Sequence, residues 1–239
     1  MLLSEARERV EAESEARVLV SSPELVSICR DKINTQKFLE SNGFKIPKMY
    51  SEKELKSSDL QFPLFIKPKS GSSSINTFKV NNIEELTTYK AIIKEPIVQD
   101  FMEGREFTVD VFLDFDGNLI TVVPRLRMAT RSGEISKGKI IKDREIIDDI
   151  KRLVKALKPI GHITVQLMKT NKGIEYIEIN PRFGGGAPMS IQSGADSCEN
   201  LYRLLMGDKL EYNENYRDNI MFFRFDKTIC GDENMEIVQ

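Results

Sequence analysis

The stretch FTVDVFLDF, residues 107–115, alternates apolar with polar side chains and runs directly into Asp116-Gly117. Successive residues of a strand point to opposite faces, so Phe107, Val109, Val111, Leu113 and Phe115 form one apolar row. An Asp-Gly pair favours a two-residue type I′ turn, which returns the chain through NLITVVPRLR with residue 115 opposite 118. In that register Glu106 falls opposite Arg127 and Thr108 opposite Arg125, all four on the face away from the apolar row. This polar face reads either as a solvated sheet surface with cross-strand ion pairs or as the wall of a site.

A second pair of strands, HITVQLMKT and GIEYIEINP, favours the latter reading. If Asn171, Lys172 and Gly173 form a three-residue loop with Gly173 left-handed, residue 170 pairs with 174 and Gln166 lies opposite Glu178. Glu178 and Asn180 share that face, while Ile163, Val165, Leu167, Ile177 and Ile179 turn to the other. Hard oxygen donors of this kind suit magnesium, which binds one or two carboxylates together with phosphate oxygens and water. Arg182, just past the strand, could neutralise phosphate charge.

Around these hairpins the chain alternates helices and strands. Residues 2–13 read as a helix, 17–22 as a short buried strand, and Pro23 to Gly43 as one helical stretch with Ser22 as N-cap. Strands at PLFIKP and INTFKV are joined by the loop KSGSSS, which makes a flap. Helices follow at NIEELTTYKAII and REIIDDIKRLVKALK. GGGAP runs into a further helix that Gly207 ends, and NIMFFRFDKTI reads as a closing strand. RLRMATRSGEISKGK supplies Arg125, Arg127, Arg131 and Lys139 as candidates for holding a carboxylate, since a planar guanidinium suits one; it equally fits a mobile surface loop.

Composition bounds the function. With 35 basic and 37 acidic side chains the net charge is -2, so no overall pull toward nucleic acid or anionic lipid is expected. No apolar run approaches a membrane span, and Cys29, Cys198 and Cys230 form no paired framework, which fits a reducing, cytoplasmic setting. His162 is the only histidine, so a Ser-His-Asp triad or a multi-histidine metal site would depend on it. KPKSGSSS offers Lys67, Lys69 and small residues that let backbone N–H groups approach phosphate. It lacks the GxxxxGK[ST] order and joins two strands, which argues against a P-loop; alone it fits a flexible hairpin tip better than a phosphate clamp.

Taken in order, Asp31-Lys32, IKPKSGSSS, VQDFMEGREFTVDV, VQL and EINPRFGGG resemble the ATP-grasp superfamily, above all the ATP-binding part of the carbamoyl-phosphate synthase large subunit. The resemblance spans roughly residues 18–228. It implies an α+β fold of two lobes clasping ATP, with a small lid lobe at about 45–98 and a larger metal-binding lobe at about 99–230. By position, Lys67 and Lys32 correspond to phosphate-contacting lysines, with Gly71, Ser72, Ser73 and Ser74 over the phosphates. Gln99 and Phe101 correspond to the hinge around adenine and Glu106 to the ribose ligand. Gln166, Glu178 and Asn180 match the magnesium positions, manganese being an alternative ion, and Arg182 the phosphate-side arginine.

The implied activity is an ATP- and magnesium-dependent ligase that activates a small-molecule carboxylate as an acyl phosphate for attack by an amine, with Arg182 and Lys67 catalytic. Residues 1–22 correspond to the end of the family's N-terminal α/β domain, an expected unit of roughly 80 to 100 residues, and 231–239 to an acidic tail. The missing part reads as removed, as supplied by a partner chain, or as dispensed with in a minimal relative; a partner chain or a homo-oligomer fits as the assembly. The competing reading is a nucleotide-binding subunit without turnover of its own.

Overall fold

The computed structural model describes residues 2–69, 75–131, 133–226 and 230. The chain opens with helix α1 (Leu2–Glu13), followed by α2 (Pro23–Arg30) and α3 (Lys32–Ser41). Residues 17–22 form no strand, contrary to expectation. Their polar groups are met by side chains: Ser4 Oγ donates to the Ser21 carbonyl at 2.9 Å, and Ser21 Oγ donates to the Ile160 carbonyl at 3.0 Å and accepts from its N–H at 3.1 Å. Once those groups are satisfied, the segment has no need of a neighbouring strand.

The single helical stretch expected over Pro23–Gly43 divides at Asp31, whose extended backbone (φ -106°, ψ 117°) interrupts it. The Asp31 carboxylate accepts from the N–H groups of Ile33 and Asn34 at 2.8 and 3.1 Å, capping a new helix. Ser22 caps α2 as expected, accepting from Leu25 N–H at 3.3 Å. The break places Lys32 on the first turn of α3.

Strands β1 (Leu64–Pro68) and β2 (Phe78–Val80), helix α4 (Ile83–Ile92) and strand β3 (Pro96–Asp100) form a small unit with sheet order β2-β1-β3. Its core joins Leu64, Ile66, Val80, Leu86 and Val98. The residues expected in its loop, Gly71 to Ser74, lie outside the described set.

The larger sheet takes β4 (Gly104–Leu113), β5 (Leu119–Arg131) and β6 (Glu134–Ile140), then, after helix α5 (Arg144–Leu157), β7 (Gly161–Thr170) and β8 (Gly173–Asn180). Helices α6 (Ala187–Ser193) and α7 (Ser197–Leu205) precede β9 (Met221–Phe223), and the order is β8-β7-β4-β5-β6-β9. The stretch after residue 125, for which a mobile loop was one of two readings, forms the antiparallel pair β5–β6. The helix expected after GGGAP is two helices, because Gly194 turns left-handed (φ 110°) and Asp196 caps the second.

Both hairpins reach the expected pairing at the polar face by an unexpected route. Asp114, not Phe115, faces Asn118, because the Asp114 carboxylate accepts from Asp116 and Asn118 N–H and Gly117 is left-handed, making a three-residue loop. A bulge between Phe112 and Leu113 then restores Thr108 opposite Arg125. In β7–β8, Thr170 pairs with Gly173 across a two-residue turn, and an extra residue inserted beyond Tyr176 brings Gln166 opposite Glu178. That insertion re-aims Ile177, which lines the cleft where the core was expected; Tyr176 takes the core position.

Helix α5 closes the apolar face. Ile146, Ile147, Ile150, Leu153 and Val154 recur at helical spacing and join Phe107, Val109, Val111, Ile163 and Val165 in one core. Each fully buried side chain of this size stabilises the fold by roughly 1.5–3 kcal/mol.

Candidate active site

A cleft of about 490 Å³ lies between the two sheets. β1 and β3 contribute Lys67 and Gln99, α3 contributes Lys32, and the larger sheet contributes Glu106, Gln166, Glu178 and Asn180 with Arg182 beyond it. Phe101 lies on the connection between the sheets, with Lys79 Nζ 4.4 Å from its ring centroid. Every described member of the expected site set therefore lines one cavity. Phe65, Ile75, Met102, Met168 and Ile177 add an apolar wall.

Lys67 is buried with 6% of its surface exposed, and Lys32 donates to the Pro68 carbonyl at 3.0 Å. Burial above all, then the neighbouring Lys32 charge, bring the Lys67 ammonium down to about 8, with Glu178 opposing the shift. Burial likewise lowers Lys32, again against the pull of Glu178. Buried Lys67 and partly buried Lys32 thus share one wall of the cleft, with Glu178 acting on both, an arrangement that favours a polyanion beside them.

Across the cleft Asn180 Nδ2 donates to Glu178 Oε1 at 2.8 Å, while Arg182 Nη1 donates to the Phe183 carbonyl at 2.8 Å. Gln166 Nε2 donates to Glu106 Oε1, so the metal-type cluster and the polar wall, expected as separate features, are joined. Arg127 Nε stands 3.0 Å from Glu106 Oε1 without the alignment of a hydrogen bond, and its Nη2 donates to the Gly133 carbonyl at 2.9 Å. These contacts leave the second Glu178 oxygen and the Gln166 carbonyl oxygen for a hard cation. Among the described residues no three Asp, Glu, His or Cys side chains cluster as a metal site, so a cation here would complete its shell with phosphate oxygens and water.

Beneath this floor lies a buried polar network that only part of the sequence pattern indicated. Arg125 donates to Asp110 Oδ2 through Nε at 3.3 Å and Nη2 at 3.1 Å, and Ser190 Oγ donates to the same oxygen. His162 Nε2 is 3.6 Å from Asp110 Oδ1, its Nδ1 is 3.2 Å from Ser197 Oγ, and its ring stacks on Phe183 at 4.0 Å. Burial would raise the Asp110 carboxyl, but Arg125, His162 and Ser190 outweigh it and hold it well below the usual carboxylate range. Although Asp110, His162 and Ser197 recreate the residue types of a hydrolytic triad, Ser197 is buried and none of the three lines the cleft. Alternation along β4 puts Asp110 on the same face as Thr108, so its place was legible; its burial was not.

The three glycines explain how the last turn fits. A Cβ on Gly184 would lie 3.0 Å from Thr164, on Gly185 2.2 Å from Glu134 Oε2, and on Gly186 2.1 Å from Arg125 Nη1. Thr164 Oγ1 also donates to the Arg182 carbonyl at 3.0 Å, which ties the turn to β7. Of the four candidates for holding a carboxylate, Arg125 and Arg127 line the cleft; Arg131 pairs instead with Asp226, and Lys139 lies off the cleft. Thr164 and Glu134 are site residues that the hairpin reading did not single out.

Residues 29–186 match the family described as the ATP-grasp domain. The chain belongs to the ATP-grasp family. It is similar to D-alanine–D-alanine ligase B of Clostridium perfringens (strain 13 / Type A), 25% identical over 199 residues covering 72% of this chain and 63% of that protein. It is also similar to the carbamoyl phosphate synthase large chain of Thermoanaerobacter sp. (strain X514), 27% identical over 216 residues covering 82% of this chain and 20% of the relative. The ATP-grasp fold is matched by the biotin carboxylase domain of Hydrogenobacter thermophilus 2-oxoglutarate carboxylase, a structure in complex with MgADP, ADP and bicarbonate. That match has a TM-score of 0.71 at 17% identity, covering 92% of this chain and 55% of that one. This ATP-grasp chain thus spans less than two thirds of each of these relatives. No helix among its described residues is long and apolar enough to cross a membrane.

Proposed function

We propose that the chain binds ATP in this cleft and acts as a carboxylate–amine ligase of the cytoplasm. The observation that carries the reading is Lys32 and Lys67, both with lowered proton affinity from burial, facing Glu178 and Asn180 across one cavity. The lysines would take the phosphates from one side, with Gly71 to Ser74 covering them and Arg182 approaching from the other. Magnesium, or manganese in its place, would be held by Glu178, Asn180 and Gln166, and would supply charge neutralisation at the phosphate oxygens. Gln99 and Phe101 would border the adenine and Glu106 the ribose, while residues 45–98 act as the lid lobe and 99–230 as the metal-binding lobe.

In the reaction, a substrate carboxylate oxygen attacks the γ-phosphorus and ADP leaves. An amine then adds to the acyl phosphate carbonyl, and phosphate departs as the C–N bond forms. Lys67 and Arg182 act by position and charge. The similarity to a D-alanine–D-alanine ligase supports this chemistry.

Because the chain spans only 63% of the D-alanine–D-alanine ligase and 20% of the carbamoyl phosphate synthase large chain, a second reading is a nucleotide-binding subunit that turns over only with a partner chain. Calorimetry with ATP at varied magnesium tests the shared part: Glu178→Ala and Asn180→Ala should each abolish the magnesium dependence of binding. Unchanged affinity in both would remove the metal assignment. ADP formation with a panel of acids and amines separates the two readings, since binding without any ADP leaves only the subunit.

A further inference from the structure

The arginine-lined end of the cleft holds a carboxylate that the nucleotide reading leaves unused. Glu134 begins β6 and lines the cavity with Gly185, which it approaches so closely that any side chain there would collide with it. Its position is held from both sides: Arg127 Nη2 binds the carbonyl of the preceding Gly133, and the following Ile135 is buried with 1% exposure. Across the ladder it pairs with Arg131, which is anchored to Asp226 at 2.6 and 2.8 Å. The backbone at Glu134 is thus fixed, while its side chain stands half exposed at the cleft.

The other acids lining the cleft are engaged. Glu106 accepts from Gln166 and faces Arg127, Glu178 accepts from Asn180, and Asp100 accepts from Tyr50 at 2.7 Å. Glu134 accepts no hydrogen bond among the described residues; its nearest cation is Arg224 at 3.8 Å, in an exposed pair of the kind that contributes little. On the adjoining glycine, Arg125 Nη1 comes as close to Gly186 as Glu134 does to Gly185, and its other guanidinium nitrogens are occupied by Asp110. Consecutive glycines therefore present one unengaged acceptor and one remaining donor, side by side, to the cleft. Opposite charges lining one end of the cleft complement a zwitterion, with its ammonium toward Glu134 and its carboxylate toward Arg125.

We infer that Glu134 is a specificity residue that binds the α-ammonium of an amino-acid substrate, whose carboxylate lies toward Arg125 and is the group to be activated. The ammonium is a recognition group and keeps its protons. This rests on the proposed ligase reading and narrows its acid substrate to α-amino acids.

The test titrates each of the twenty standard amino acids, and their N-acetyl forms, into the protein saturated with magnesium and a non-hydrolysable ATP analogue. At least one free amino acid should bind, its N-acetyl form at least tenfold more weakly. Glu134→Gln should weaken that amino acid at least tenfold while leaving the affinity for the analogue within twofold, and Glu134→Asp should restore part of the loss. The inference is overturned if no amino acid binds, if the acetylated form binds as well, or if Glu134→Gln binds as tightly as the wild type. Failure of the analogue itself to bind would instead overturn the nucleotide reading beneath it.

Discussion

The two faces of the larger sheet bury their central residues by opposite means. On one, Phe107, Val109 and Val111 are wholly buried in an apolar core to which α5 contributes; on the other, Thr108, Asp110 and Arg125 are 4%, 2% and 1% exposed and held by polar pairing under the triple-glycine turn. Apolar burial adapts, because the lost contacts are many and small. Polar burial does not: each partner's desolvation is offset only while the other remains. The face with the less forgiving chemistry is the one that carries the cleft.

The sharpest way to break this contrast is Asp110→Ala, which leaves the Arg125 guanidinium buried without its carboxylate. We expect a loss of about 3–5 kcal/mol, read as a lower midpoint in urea unfolding. Gly186→Ala should follow at about 1–3 kcal/mol, because the added methyl overlaps a guanidinium that Asp110 prevents from moving away. The same variant should weaken ligand binding at that end, which calorimetry would detect.

Lys67 extends the comparison across the cleft, since it is buried with no carboxylate at ion-pair distance among the described residues. Its proton affinity falls from an ordinary 10.5 to about 8, so below pH 8 it is charged in both the folded and unfolded chain and folding carries the desolvation penalty. That penalty fades as pH rises from about 8 to 10.5, where the folded side chain is already neutral. Phosphate binding should restore the charge. Affinity for ATP should then fall about tenfold per pH unit above 8, roughly 1.4 kcal/mol each, with proton uptake measurable by calorimetry in buffers of different ionisation enthalpy. A flat profile would exclude contact between Lys67 and the phosphates. The smallest effect belongs to the apolar face: Ile150→Val should cost only about 0.5–1.5 kcal/mol in urea unfolding and leave nucleotide binding unchanged.

Strand alternation and turn residues carried much of this architecture. The apolar row of β4, the pairing of Thr108 with Arg125 and of Gln166 with Glu178, and the amphipathic stripe of α5 all follow from periods of two and 3.6. Where the reading missed, a local hydrogen bond decided the outcome. Asp31 ended a helix that periodicity would have continued, Asp114 lengthened a turn, and the extra residue in β8 sent Ile177 into the cleft. Short polar side chains compete with regular backbone pairing, and alternation alone does not place a bulge.

By itself the sequence determined which side chains share a face, and with them the charge and oxygen donors of the cleft, because covalent geometry makes side-chain direction periodic along a strand. Tertiary structure alone decided that Asp110 and Arg125 would be buried together, that Lys67 would lose proton affinity beside Lys32, and that Glu134 would line the same cleft as Arg125. Those properties depend on desolvation and on approaches of a few ångströms between segments far apart in the chain, which no local pattern encodes.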